Sequence, residues 1–306
     1  MSHLSLIPLA DSALTYFQAV VLGVLQGVTE LFPISSLGHT VLFPTLFGWN
    51  QLVDAQSKDE SFWLAFVVML HVGSAIGLLI YFRHEWVAIV KAFFRTLAKR
   101  RAETPTERLA WLIIIASIPA GLFGLAFEHQ LRTLTAKPEV AAILLMINGL
   151  ILFAAERYRK RAEVRELALR EGAKADGGRE LDTLDYKEAL VVGVAQSTAL
   201  FAGISRDGVT MGTGLARGLD HEDAARFAFL LATPIILAAG LFKLPDLTGH
   251  LGDGIRGQAL VACISAAVTA VFTVAFLMRY FKTRTLIPFA IYCLVFGGAM
   301  TIYTLA

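Results

Sequence analysis

Six long apolar runs constrain the fold of this chain more than any other feature of its sequence. Each approaches the roughly 20 residues that an α-helix needs to cross the hydrocarbon core of a bilayer. Of the 306 residues, 56% are hydrophobic, which is too high a proportion for an ordinary soluble domain. The sequence therefore predicts an all-α, polytopic membrane protein with six transmembrane helices. The runs are Ser61–Phe82, Leu109–Phe127, Val140–Ala155, Ala224–Phe242, Gln258–Met278 and Leu286–Leu305.

Basic residues in the connecting segments predict how these helices are oriented. Residues 83–108 hold seven Lys or Arg, residues 156–187 hold nine and residues 279–285 hold three, whereas residues 1–61 and 244–257 hold one each. Because basic loops stay in the cytoplasm, the rich segments are predicted inside and both termini outside. The net charge of +2 hides this asymmetry and gives no indication of a nucleic-acid partner. Residues 83–108 also alternate apolar and basic side chains, which predicts a helix on the anionic inner leaflet.

Two polar, glycine-containing stretches outside the six runs resemble each other. Val20–Thr40 and Leu190–Thr210 match at eight positions when the sequence is shifted by 170. Both are interrupted by polar residues, Gly or Pro, and irregular backbone at membrane depth survives only where protein or a water-filled cavity covers it. They are therefore predicted to be re-entrant helical hairpins, the first entering from outside and the second from the cytoplasm. This makes a single membrane domain with an inverted-topology repeat, 1–155 and 187–306, joined by a charged cytoplasmic linker, 156–186.

The first stretch carries residue types suited to phosphate and metal chemistry. Gln26 and Glu30 share one helical face because they are four residues apart. Glu30 is a hard oxygen ligand for a divalent cation. Ser35 and Ser36, in the turn that follows, offer hydroxyls and free backbone N–H groups that suit an anion such as phosphate. His39 is a candidate general base, nucleophile or leaving-group acid.

The second stretch offers a complementary half of a site. Gly203 and Ser205 form another Gly/Ser turn, and Arg206 follows with a guanidinium that grips phosphate in a bidentate manner. Asp207 is placed to orient Arg206 or to reach a metal, and Thr210 to cap the helix or bind a phosphate oxygen. Together the two stretches predict phosphate ester or anhydride chemistry beside the membrane.

Several of these residues have a structural alternative. A single Ser or Thr in a membrane helix usually bonds back to its own helix. Glu30 and Arg206 can also form a structural ion pair with each other. His71, alone in an apolar run, is predicted to be a packing histidine rather than a catalyst. Cys263 and Cys293 also lie in apolar runs, and their spacing fits neither a metal site nor a disulfide.

The motifs resemble those of a known family, the bacterial undecaprenyl pyrophosphate phosphatases of the bacitracin-resistance type. Residues 26–39, QGVTELFPISSLGH, are similar to the family's [E/Q]-x-x-x-E and P-x-S-S-x-G-H motifs, and residues 203–208, GISRDG, to its P-G-x-S-R-S-G-x-T motif. The layout is similar over nearly the whole chain. The resemblance implies a bacterial inner-membrane enzyme that hydrolyses undecaprenyl diphosphate to undecaprenyl phosphate and inorganic phosphate, recycling the carrier lipid of cell-wall synthesis. It also implies a divalent metal, Mg²⁺ or Ca²⁺.

The resemblance implies a role for each matching position. Ser36 and His39 correspond to a nucleophile and base pair, although the attacking atom stays open between serine, histidine and water. Glu30 corresponds to the essential carboxylate and Arg206 to the phosphate-binding arginine. Glu30 and Asp207 are the predicted metal ligands. The predicted substrate-binding residues are Gln26, Ser35, Gly203, Ser205 and Thr210.

The sequence departs from the second motif at two positions. Ala202 stands where the family's motif has proline, and Asp207 stands where it has serine. The first change is expected to loosen the turn. The second adds a carboxylate that repels phosphate unless a metal or Arg206 neutralises it.

A transporter or flippase for a prenyl-phosphate or other anionic lipid is the alternative function. Inverted repeats with broken helices at mid-membrane are also transporter architecture. Under that alternative, Arg206 binds an anionic headgroup and Glu30 couples to a cation. His39 beside the two serines favours an enzyme, since transport does not require this pairing. The expected partners are a polyprenyl diphosphate and membrane lipids, a homodimer is left open, and the site is predicted to open toward the outer face.

Overall fold

The computed structural model describes residues 14–56, 62–135, 137–169, 179–249 and 252–306. These residues are almost entirely helical, and the only extended pairing among them is an isolated bridge between Arg179 and Leu219. The all-α prediction is confirmed for this part of the chain. Its α-helices are α1 (Tyr16–Thr29), α2 (Ser36–Leu46), α3 (Asn50–Gln56), α4 (Phe62–Tyr81), α5 (Arg83–Lys99), α6 (Pro105–Thr135), α7 (Pro138–Leu169), α8 (Tyr186–Gln196), α9 (Arg206–Ala216), α10 (His221–Thr248), α11 (Arg256–Tyr280) and α12 (Ile287–Leu305).

Six helices in the described residues are long and apolar enough to cross a membrane, which confirms the predicted number. They are α4, α11, α12, and the portions Pro105–Phe127 of α6, Pro138–Arg161 of α7 and His221–Lys243 of α10. Helices α6, α7 and α10 continue beyond their apolar runs into polar sequence. Ser61, residues 1–13 and residues 170–178 of the predicted linker lie outside the described residues.

Glycines bring α1 and α4 close to α11. A Cβ atom added to Gly27 of α1 would lie 2.6 Å from the backbone oxygen of Ala266, and one added to Gly77 of α4 would lie 2.7 Å from that of Ala267. Such short distances require glycine at both positions. Membrane helices commonly pack through small residues, because lipid provides no hydrophobic drive for them to associate. The helix that leads into the first polar turn is thereby held against α11.

Two pairs of short helices carry the two polar turns. Residues 30–35 join α1 to α2, and residues 197–205, which include the 3-10 helix Ser197–Leu200, join α8 to α9. Each stretch is thus a helix–turn–helix unit. The re-entrant depth of these units, their sides of entry and the inverted symmetry stay predictions. Residues 83–99 form the predicted helix α5, and its position on the inner leaflet also stays a prediction.

Helix α7 lies behind the second turn and contacts α2, α9 and α12. Gly203 has φ of +108°, and a Cβ atom there would lie 2.5 Å from the backbone oxygen of Ala141 in α7. Gly208 of α9 likewise faces Leu152, whose Cδ2 would be 3.1 Å from an added Cβ. The second turn therefore lies directly against the backbone of a membrane-spanning helix.

Candidate active site

The C-terminal end of α1 presents two buried polar side chains. Gln26 and Glu30 are 0% and 7% exposed, and Gln26 Nε2 donates a hydrogen bond to Glu30 Oε2 over 2.8 Å. The two residues thus share one helical face, as their spacing predicts. Glu30 Oε2 also accepts a hydrogen bond from the hydroxyl of Ser36, the first residue of α2. The turn between α1 and α2 therefore folds back so that its serine reaches the carboxylate.

Ser35 connects the two polar turns. Its φ is +68°, a backbone conformation that is uncommon for a residue with a side chain. As the N-cap of α2, its Oγ accepts from the backbone N–H of Gly38 over 3.2 Å. The same Oγ accepts from the N–H of Gly203, in the other turn, over 3.0 Å. Ser35 and Gly203 are thus brought together as part of the site's framework, and their predicted contact with substrate stays untested.

Arg206 joins the second turn to the first through an ion pair. Its Nη2 donates to Glu30 Oε1, and its Nε lies 3.5 Å from Asp207 Oδ1. The Arg206 side chain is 16% exposed and that of Glu30 is 4% exposed, so the arginine is the more accessible member of the ion pair. The structural ion pair between Glu30 and Arg206 is therefore formed, and the phosphate-binding role of Arg206 stays a prediction. Ser205 is the N-cap of α9, with its Oγ accepting from Gly208 N–H over 3.1 Å.

Several buried polar atoms of this cluster have no hydrogen-bond partner among the described residues. They are both carboxylate oxygens of Asp207, the Nε of Arg206, the hydroxyl of Thr210 and the side-chain oxygen of Gln26. Thr210 does not bond back to its own helix, in contrast to Thr213, whose hydroxyl donates to Val209 over 2.8 Å. Because an unpaired buried polar group is costly, such atoms mark a place where a ligand is expected.

His71 of α4 is also part of the cluster, which the sequence did not predict. Its Nδ1 lies 2.8 Å from the backbone oxygen of Val67, so this nitrogen carries the proton and Nε2 of the neutral ring has a lone pair. Nε2 lies 3.5 Å from Ser36 Oγ and 3.4 Å from Glu30 Oε2. His71 was predicted to be a packing histidine. Its Nδ1 bonds to the backbone of its own helix as such a residue would, but its Nε2 contacts the predicted site, which the sequence did not indicate.

His39 is buried a short distance along α2 from the serines. Its Nδ1 lies 2.8 Å from the backbone oxygen of Ser35, and its Nε2 lies 2.8 Å from the hydroxyl of Tyr292 in α12. The ring also stacks on Phe296, with centroids 5.3 Å apart. The catalytic role of His39 stays a prediction. The histidine whose ring nitrogen lies 3.5 Å from Ser36 Oγ is His71.

Asn148 is a second residue that sequence reasoning missed. It is a fully buried amide in the middle of α7, and it contacts Pro33 of the first turn and Ser205 of the second. The one available signal was an uncharged polar residue inside an apolar run, where such side chains commonly bridge helices.

The fold and this cluster define a class: an integral membrane protein whose buried polar site is formed where two short helix pairs meet. More particularly, the chain belongs to the bacitracin resistance protein BacA family, which it matches over residues 19–299. This confirms the resemblance seen in the two motifs.

Curated relatives match almost the whole chain. This chain is similar to undecaprenyl-diphosphatase 2 of Frankia alni, with 50% identity covering 94% of this chain and 98% of the relative. It is also similar to an undecaprenyl-diphosphatase of Mycolicibacterium paratuberculosis, with 51% identity covering 95% of this chain and 97% of the relative. A more distant relative, undecaprenyl-diphosphatase 2 of Chromobacterium violaceum, is 41% identical over 92% of this chain and 95% of its own length.

Proposed function

We propose that this protein is an undecaprenyl-diphosphatase of the bacterial inner membrane. It hydrolyses undecaprenyl diphosphate to undecaprenyl phosphate and inorganic phosphate, and so recycles the carrier lipid of cell-wall synthesis. The names of the relatives and the shared family support this activity. No observation favours the transporter or flippase alternative.

The observation that carries the proposal is the meeting of Glu30 and Ser36 with Arg206. Arg206 is 176 residues from Glu30 in the sequence, yet Glu30 accepts hydrogen bonds from both Ser36 and Arg206. Phosphoryl transfer depends mainly on positioning and on stabilising negative charge. A guanidinium in the more accessible member of the ion pair suits the binding of a diphosphate, with the serine hydroxyl beside it.

The proposed nucleophile is the hydroxyl of Ser36. Its Oγ attacks the terminal phosphorus while its proton passes to His71 Nε2, and the bond from that phosphorus to the bridging oxygen breaks. Undecaprenyl phosphate leaves with the electron pair of the broken bond. Water then attacks the phosphoserine, and the bond from Ser36 Oγ to phosphorus breaks. His71 returns its proton to Ser36 Oγ, and the protons of the attacking water remain on the inorganic phosphate that leaves. Arg206 holds the phosphate oxygens throughout and offsets their charge.

The proposed ligands of a divalent cation, Mg²⁺ or Ca²⁺, are Glu30 and Asp207. The two buried oxygens of Asp207 accept no hydrogen bond from the described residues and suit a hard cation, although Arg206 forms an ion pair with this carboxylate as well as with Glu30. The described residues contain no group of three or more His, Cys, Asp or Glu placed to hold a metal ion by themselves. Phosphate oxygens and water would therefore complete the coordination, as is common for Mg²⁺. When bound, the cation would neutralise charge on the diphosphate and polarise its terminal phosphoryl group.

The substrate is proposed to enter from the outer face, with its polyprenyl tail against apolar helix surfaces. The support for this face is the loop charge pattern, which predicts that the first helix pair enters from outside. Thr210 is proposed to donate its hydroxyl, which has no hydrogen-bond partner among the described residues, to the diphosphate, and Gln26 and the turn residues Ser35, Gly203 and Ser205 to line the binding site. A homodimer stays a candidate assembly.

Phosphate release from undecaprenyl diphosphate by purified protein in detergent tests the proposal. We expect release that stops on addition of a chelator, and a loss of at least about 100-fold in Glu30→Gln and in Arg206→Ala. Matched controls are Glu103→Gln and Arg256→Ala, which break exposed ion pairs elsewhere and should leave release unchanged. Folded wild-type protein that binds prenyl diphosphates without releasing phosphate would overturn the proposed activity.

A further inference from the structure

The amide of Asn148 bridges the two polar turns. Its Nδ2 donates to the backbone oxygen of Pro33 over 2.9 Å, and its Oδ1 accepts from the backbone N–H of Ser205 over 2.9 Å. The orientation of the amide is fixed by its partners, because a carbonyl can only accept and a backbone N–H can only donate. Nδ2 also lies 3.4 Å from the Sγ of Cys293 in α12. Both ends of the side chain are thus used.

The two backbone groups that Asn148 joins lie next to the reacting side chains. Pro33 is three residues before Ser36, and Ser205 directly precedes Arg206. The bridge comes from a well-anchored helix. Gly149, the neighbour of Asn148, packs so closely on α12 that an added Cβ would lie 2.8 Å from the backbone oxygen of Ala290. Asn148 therefore attaches both turns to the same membrane-spanning helix, α7.

Two other contacts between the turns depend on the same spacing. One is the hydrogen bond from Gly203 N–H to Ser35 Oγ, and the other is the ion pair of Arg206 with Glu30. The Arg206 side chain is long and flexible, so its ion pair tolerates a shift of the turns that the short, fixed amide does not. Of the three contacts, the Asn148 bridge is the one that bonds a backbone group in each turn.

We propose that Asn148 is a positioning residue, whose amide holds the two turns at the spacing that puts Ser36 opposite Arg206. This inference rests on the proposed phosphatase activity of the same site. A displacement of about 1 Å between reacting groups can lower the rate about 100-fold, whereas binding of a long lipid tail is little affected. Loss of the bridge should therefore lower kcat more than it changes KM.

The test compares Asn148→Leu with a matched control, Gln258→Leu. Leucine has a size similar to asparagine and forms neither hydrogen bond, so Pro33 and Ser205 each lose their partner. Gln258 is also buried, and its Nε2 donates to the backbone oxygen of Leu14 over 3.1 Å, in a part of the protein away from the turns. Both changes remove a buried amide from a membrane-embedded helix, and only the first touches the site.

Steady-state phosphate release and thermal unfolding are measured on protein that elutes as a single species. We expect Asn148→Leu to lower kcat about 10- to 100-fold with KM within about 3-fold of wild type, and Gln258→Leu to keep kcat within about 2-fold. Asn148→Ala, which is smaller, provides a second variant if the leucine variant does not fold. Equal kcat for the Asn148 variants and the control would overturn the positioning role. Inactive wild-type protein would instead overturn the proposed function.

Discussion

Ser36 has two proton acceptors within reach, Glu30 and His71. The carboxylate of Glu30 already accepts hydrogen bonds from Gln26, Ser36 and Arg206. Three donors, one of them cationic, thus already occupy the two oxygens of this carboxylate. Nε2 of His71 has a lone pair in the neutral ring and lies 3.5 Å from Ser36 Oγ. At the scale of single residues, His71 is therefore the acceptor that the geometry favours.

Replacing His71 with glutamine is expected to lower kcat about 100-fold while KM stays close to that of wild type. Glutamine keeps a polar group in the same place but cannot take up a proton, and general acid–base catalysis typically contributes 100-fold or more. Steady-state phosphate release measures both constants. His84→Gln, at an exposed position, is the control and should match wild type. Turnover of His71→Gln within about 3-fold of wild type would leave His71 as a packing residue only.

The predictable part of the site is the part that carries a sequence pattern. The contact between Gln26 and Glu30 follows from a spacing of four residues on a helix, and the meeting of Glu30 with Arg206 follows from the repeat. His71 and Asn148 belong to no pattern. Each is a single polar residue in an apolar run, and its partners depend on how α4 and α7 pack against the turns.

At the scale of helices, the position of α1 depends on its close approach to α11. Gly27 follows Gln26 directly, so anything that pushes α1 away from α11 also moves the Glu30 carboxylate. Apolar periodicity predicts that α1 is a helix and gives no measure of this distance. The backbone of Ala266 and the side chain of Thr269 leave no room for a methyl group at position 27.

Gly27→Ala is expected to lower both stability and turnover. Inserting a methyl group into a packed interface typically costs about 1–3 kcal/mol. Gly121→Ala is the matched control, because a Cβ atom at that position of α6 would have no atom within 4 Å and alanine is the better helix former. Thermal unfolding in detergent and phosphate release measure the two effects. Equal unfolding midpoints for the two variants would show that α1 and α11 separate without cost.

Helix ends were less predictable than helix centres. The apolar runs identify the portions that are long and apolar enough to cross the membrane, but α6 begins four residues earlier, at Pro105, and α7 two residues earlier, at Pro138. Proline suits the first turn of a helix because the N–H that it lacks would have no partner there. Both helices also continue past their apolar runs, since helical hydrogen bonding does not end where the hydrocarbon core does.

At the scale of the whole molecule, the basic loops alone predict the orientation in the membrane. The 279–285 turn between α11 and α12 holds three Lys or Arg, whereas residues 244–257, before α11, hold one. These segments flank the same helix, so they must lie on opposite sides of the membrane if α11 spans it. The same assignment decides the side from which the first helix pair enters, and with it the face proposed for substrate entry.

Cysteine labelling at the two ends of α11 tests this orientation. The side chains of Asp253 and Lys282 are 62% and 58% exposed, whereas the native thiols of Cys263 and Cys293 are buried and should give little background. A membrane-impermeant maleimide is expected to label Asp253→Cys in intact spheroplasts and Lys282→Cys only after permeabilisation. The opposite result would invert every helix at once and move the proposed substrate entrance to the cytoplasmic face. Labelling of both in intact cells would show instead that α11 does not cross the membrane.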